Sequence, residues 1–152
     1  MKKKIFLTLL VLFIAIQFIQ SEKNEGPVAT NQDITHYVEV PVNIQHILKA
    51  SCYDCHSNQT NYPWYAQVNP VGWWLNHHIE EGKAEINFSD LTGYDKMKLD
   101  HKLEEIVEEV QQGHMPLPAY LWLHTDAKMN QQQVTQLVTW VNKERQKLNI
   151  VE

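Results

Sequence analysis

The sequence predicts an all-α fold, a small helical domain behind an N-terminal hydrophobic segment. Three observations carry this. Apolar residues recur at i, i+3, i+4 and i+7 through most of the chain after residue 41. Alternation of the kind a strand needs is confined to the six residues His36–Pro41. Prolines and Gly113 stand where those helical stretches would begin and end. Of 152 residues, about 130 remain once the first twenty are set aside, enough for one modest domain.

Residues 1–20 read as a signal peptide or a membrane anchor. Lys2, Lys3 and Lys4 precede an apolar run from Ile5 to Ile19 broken only by Thr8 and Gln17, which has the charge and length of an export signal. QFIQSEKN contains no small-x-small cleavage site, and the run is slightly shorter than the roughly 17–25 residues of a spanning helix. A cleaved signal and an uncleaved anchor both remain open. Lysines on the inner side put the rest of the chain on the periplasmic side of the cytoplasmic membrane.

Residues 21–35, SEKNEGPVATNQDIT, are polar and hold Gly26 and Pro27, the composition of a flexible tether. Residues 36–148 form the expected domain. HYVEVP at its start is expected to lie extended on the surface. Val42, Ile44, Ile47 and Leu48 then share a face of a short helix that runs into SCYDCHS. After a loop with Asn58, Asn61 and Pro63, Pro70 opens a second helix, VGWWLNHHIEEGKAEI, with Trp74, Leu75, Ile79 and Ile86 inward. Met97, Leu99, Leu103, Ile106, Val107 and Val110 mark a third helix stopped by Gly113. After GHMPLPAY, a fourth helix starts at Asn130, with Gln133 in the capping-box position and Val134, Leu137, Val138 and Val141 on one stripe.

Composition narrows the function. The chain is 43% hydrophobic and 20% charged with five tryptophans and six tyrosines, so a folded core is expected beyond the first forty residues. Its net charge of −5 includes the three leading lysines, and no basic cluster follows residue 20. Nucleic acid is therefore a poor partner.

The chemistry concentrates in Cys52-Tyr53-Asp54-Cys55-His56. Spacing of i, i+3 and i+4 puts both thiols and the imidazole on one side of a helical turn. C-x-x-C-H is the attachment signature of c-type haem, with two thioether anchors and an adjacent proximal ligand. Rival readings are weaker. A redox dithiol wants a βαβ context, zinc wants about four ligands when only two cysteines exist, and a disulfide across two residues closes a trivial loop. Export agrees with haem, because attachment takes place outside the cytoplasmic membrane.

The opposite side of the iron calls for a second ligand, and Met115 in GHMPLP is the candidate, held by a loop that Pro116 stiffens. His114 is its nearest rival. His77 and His78 are adjacent on the second helix, so one points inward and one outward. Met97 and Met129 read as packing residues, His46 as lining the haem edge or facing solvent, and His36, His101 and His124 as surface or local hydrogen-bonding groups. Among the dense aromatics, Trp64 and Trp74 are expected nearest the cofactor, covering its apolar face and bonding its propionates. Glu104, Glu105, Glu108 and Glu109 read as a solvated face.

CYDCHSNQTNYPWY, NPVGWWLNHHIEEGK, HKLEEIVEEV and GHMPLPAYLWLH together resemble the small haem-binding domain family of exported bacterial proteins, related in plan to cytochrome c. The likeness spans roughly residues 36–145, and its NYPWY and WWLNHH blocks depart from ordinary class I cytochromes. It implies a cytochrome c-like helical domain with one haem c per chain on Cys52 and Cys55, His56 as proximal and Met115 as distal iron ligand. The expectation is a one-electron carrier serving redox partner proteins, not an enzyme. The alternative is a haem-based sensor or ligand-binding module with a weak or open distal site.

Overall fold

The structure, a computed structural model, describes residues 1–27 and 31–148. Val28–Thr30 of the expected tether lie outside the described residues. Seven α-helices follow in order: α1 (Lys2–Ile16), α2 (Val42–Ser51), α3 (Tyr53–His56), α4 (Val71–Glu85), α5 (Lys96–Gln112), α6 (Pro118–Leu121) and α7 (Gln131–Leu148). Short 3₁₀ turns occupy Ile34–His36, Trp64–Gln67 and Thr125–Ala127. Among the described residues there is no strand, only one isolated bridge between Glu25 and Gln59. The all-α expectation holds.

The helix ends follow local chemistry. Asn130 and Gln133 exchange backbone N–H and side-chain oxygen bonds at 2.9 Å in both directions, a full capping box. Asp95 accepts from the Lys98 N–H at 2.8 Å and so caps α5. At the other end of α5, Gly113 adopts φ +73°, a left-handed stop that a side chain resists.

Leu99, Leu103 and Val110 of α5 meet Leu137, Trp140 and Val141 of α7, and Ile44, Ile47 and Leu48 of α2 complete the core. The Arg145 guanidinium ties α7 to α5 through Asp100 at 2.8 and 3.1 Å and Glu104 at 3.0 Å. Burial leaves the Trp140 indole N–H no water, and it donates to the Glu39 carbonyl at 2.8 Å.

Several expectations need correction. Ile34, counted in the tether, is fully buried, and Val38 in HYVEVP is buried rather than lying on the surface. Both pack with Phe88 and Leu91, and the Ile34 N–H donates to the Phe88 carbonyl at 2.9 Å. Burying an isoleucine stabilises by about 1.5–3 kcal/mol, enough to draw a polar stretch onto the core. The earlier part of the segment is not free either. The Asn24 side chain donates to the Ser57 carbonyl and Thr60 Oγ1 at 2.9 Å, and accepts from Lys83 Nζ at 2.7 Å. Val42 is exposed, and Met97, read as a packing residue, is 70% exposed. Each lies at the first turn of its helix, where the apolar stripe has not yet reached a neighbour.

α1 buries none of its side chains. Among the described residues, no helix is long and apolar enough to cross a membrane.

Two substitutions test this account. Leu103→Ala is expected to cost about 2–5 kcal/mol, the range for truncating a buried leucine, and Asn130→Ala about 1 kcal/mol for a lost cap, both read by urea unfolding.

Candidate functional site

α2 does not run unbroken through the cysteines. Its last turn ends at Cys52, whose backbone takes φ −127° and ψ −38°, and α3 starts anew at Tyr53. The cause lies in the two residues between the cysteines. The Tyr53 ring stacks on Phe88, with centroids 5.5 Å apart and planes 16° from parallel, which draws that position toward the core. Asp54 turns the opposite way. Its carboxylate accepts from the Asn61 N–H at 3.0 Å and the Tyr120 hydroxyl at 2.6 Å, while its carbonyl accepts from Thr60 Oγ1 at 2.6 Å. Cys52, Cys55 and His56 are left half-buried along a single cavity.

That cavity, of about 250 Å³, is lined by Ser51, Cys52, Asp54, Cys55, His56, His78, Glu81, Gly82, Glu85, Met115, Pro116, Leu117 and Tyr120. α3 and α4 form its floor at close approach. A Cβ on Gly82 would stand 2.9 Å from the Cys55 carbonyl oxygen and 3.2 Å from the Cys55 Cβ, so glycine is required there. Glycine inside a helix costs roughly 0.5–1 kcal/mol relative to alanine, and the close contact explains why it is kept.

His56 is held from behind. Its Nδ1 lies 3.1 Å from the Ile86 carbonyl oxygen, which can only accept, so Nδ1 carries the proton and Nε2 keeps its lone pair. The Phe88 N–H donates to the His56 carbonyl at 2.8 Å, so residues 86–88 hold both ends of the residue. Burial lowers the His56 pKa and favours the neutral ring that binds metals. Burial likewise pushes the Cys52 thiol up to about 12, with Cys55 adding to it, and the Cys55 thiol up to about 11, with Asp54 adding.

Met115 reaches the same cavity by the stop at Gly113. The amides of Gly113, His114 and Met115 all return to the Glu109 carbonyl, and this reversal sends Met115 back against the core, half-buried. Tyr120 then ties the loop to the motif through Asp54. Its ring stacks on His124 with centroids 3.9 Å apart, and burial and the bond to Asp54 raise the Tyr120 pKa.

Of the expected site residues, Cys52, Cys55, His56 and Met115 come together. Trp64 and Trp74 do not. Trp64 is 80% exposed and Trp74 44% exposed, and neither lines the cavity. The 3₁₀ turn at Trp64–Gln67 carries Trp64 away from it, while Trp74 is set edge-on to His78 at 4.5 Å between ring centroids. His114 also stands off the cavity, 3.4 Å from Glu109. His78 is the inward member of its pair, its side chain 26% exposed against 65% for His77.

Two free thiols, an imidazole with an available Nε2 and a thioether around one cleft are donors that suit a haem. The family model for a haem-binding domain matches residues 11–143. The chain belongs to that haem-binding domain family. No curated protein and no solved structure matches it. The family match takes in residues 11–35, which the motifs alone left outside the domain.

Gly82, Asp54, Tyr120 and the Ile86 carbonyl were missed from sequence. Only Gly82 left a signal, as a glycine in mid-helix. Asp54 read as a spacer, and the structure makes it the link between the motif and the Met115 loop.

Gly82→Ala is expected to lower the fraction of purified protein carrying haem, read as the ratio of Soret to protein absorbance. Tyr120→Phe is expected to cost about 1 kcal/mol, since the lost bond is to a charged but partly solvated group. Amide exchange over residues 114–124 should speed up.

Proposed function

We propose that this domain holds one c-type haem through thioether bonds to Cys52 and Cys55, and carries single electrons on the outer side of the cytoplasmic membrane. One observation supports this above the others: the cavity that takes in CxxCH also takes in Met115, from a loop about sixty residues further on.

The side-chain roles follow. Cys52 and Cys55 would hold the haem as thioethers, each giving its sulfur to one vinyl carbon and its hydrogen to the neighbouring one, which needs both thiols reduced. His56 would give Nε2 to the iron while Ile86 fixes its tautomer. Met115 would give its thioether, a ligand that raises the potential relative to a second histidine. Leu117, Pro116 and Tyr120 would help exclude water from the cavity they line. Bound haem supplies Fe(II)/Fe(III) cycling, and no substrate bond changes.

His78 supports a second reading. It lines the same cavity as Met115, and its Nδ1 is engaged by Glu81 at 3.1 Å, which leaves Nε2 free. Histidine on both sides of the iron would give a lower potential.

The alkaline pyridine haemochrome of protein matured with ligation machinery is expected to show a c-type band that survives acidic acetone extraction, and loss of that band overturns the covalent reading. Cys52→Ala with Cys55→Ala should release the haem to extraction. Met115→Ala should lower the potential and abolish the sulfur-to-iron absorption band of the oxidised protein. An unchanged spectrum would assign the position to His78 or leave it open, as a sensor requires.

A further inference from the structure

The C-terminal end of α1 is fastened to the domain by side-chain chemistry. Gln17 and Asn69 form a reciprocal pair: Gln17 Nε2 donates to the Asn69 carbonyl at 2.9 Å, and the Asn69 N–H donates to Gln17 Oε1 at 2.9 Å. Asn69 Nδ2 then donates to the carbonyls of Ile16 at 3.1 Å and Ile19 at 2.7 Å. Trp73 Nε1 adds a bond to the Ile19 carbonyl at 2.8 Å. The Ile16 carbonyl also accepts from the Ile19 N–H at 3.2 Å, and Ile19 lies just beyond the helix, so these side chains fasten the turn that closes α1. Asn69 is 1% exposed, so the contact is built into the domain and not draped over it. Gly72 makes room for it, since a Cβ there would stand 2.3 Å from the Ala66 carbonyl and 2.9 Å from Asn69 Oδ1.

Around this joint the domain exposes apolar residues that the haem site does not use. Val68 and Val71 flank Asn69 and Pro70 in the chain, Trp64 precedes them by one 3₁₀ turn, and Trp74 follows by one turn of α4. All four are exposed. They adjoin the exit point of a helix whose own apolar side chains, Ile5 to Ile14, are also exposed. Tryptophan is the residue that favours the boundary between acyl chains and water, and an apolar helix fastened at Asn69, between Val68 and Val71 in the chain, indicates which boundary the patch meets.

We propose that residues 1–20 stay on the mature protein and that the face formed by Trp64, Val68, Val71 and Trp74 rests on the lipid surface that α1 enters. The inference builds on the proposed location outside the cytoplasmic membrane. At 1.5 Å per residue the fifteen residues of α1 reach about 22 Å into a hydrocarbon core of roughly 30 Å, and Lys2, Lys3 and Lys4 snorkel from its far end toward the inner surface, the orientation that keeps the domain outside. Trp64 and Trp74, the pair expected at the cofactor, thereby acquire a different role.

The test uses full-length holoprotein in phosphatidylcholine and phosphatidylglycerol vesicles doped with a phospholipid that carries a photoactivatable diazirine near its headgroup, followed by intact and peptide mass spectrometry. Expected are a mature chain that begins at residue 1 or 2, carries its haem mass, and bears lipid adducts on α1 and on the peptide spanning 62–76. Trp64→Ser, at an exposed position that folding does not need, should strip most adducts from that peptide and leave those on α1. Adducts on α1 alone overturn the docking face and leave the membrane location standing. A chain beginning near residue 20, or one with no adducts anywhere, overturns the retained anchor. A chain lacking the haem mass counts against the proposed function and not against the docking face, which the adducts report separately.

Discussion

The site depends on how closely α3 lies against α4. Gly82 has no side chain, so the Cys55 backbone can settle on it, and only at that separation does His56 come within 3.1 Å of the Ile86 carbonyl just beyond the end of α4. One close contact therefore sets the height of a thiol and the orientation of an imidazole together. The intrinsic penalty of a mid-helix glycine is small beside what a displaced backbone would do to the positions of Cys55 and His56. The Met115 side is placed separately, by a helix stop and a tyrosine, and is bonded to the motif at Asp54.

Much of the scaffold could be read from the residues because its determinants are local. Gly113 and the Asn130–Gln133 pair act within a turn of the chain, and the stripe through Leu99, Leu103 and Val110 shows its period directly. CxxCH and Met115 were legible for a different reason, since the spacing of the one and the setting of the other are themselves the chemistry. Ile34 and Val38 were not legible. Ile34 is a lone apolar residue in a polar run and Val38 sits in an alternation too short to show which side is covered, and their burial is decided by Phe88 and Leu91, fifty or more residues away.

Trp64 and Trp74 show the limit from the other side. Aromatic density near CxxCH pointed to the cofactor, yet direction decides the matter, and a 3₁₀ turn of four residues is enough to aim Trp64 outward. Asp54 was overlooked for the complementary reason. Inside a motif defined by its cysteines and histidine, the intervening positions look interchangeable. Here Tyr53 packs on Phe88 and Asp54 bonds to Tyr120, so the spacers connect the motif to the rest of the fold.

The pinned course of residues 17–26 has a mechanical consequence. Gln17 is held by Asn69, Asn24 by Ser57, Thr60 and Lys83, and the Gly26 N–H by the Asn58 carbonyl at 2.7 Å. Among the described residues, those from 17 to 26 are thus bonded to the domain at intervals of a few residues. A domain on a loose leash sweeps a hemisphere; bonds spaced this closely would instead carry a tilt of α1 to the body of the domain, with the distance between the helix and the cavity set by hydrogen bonds and not by linker length.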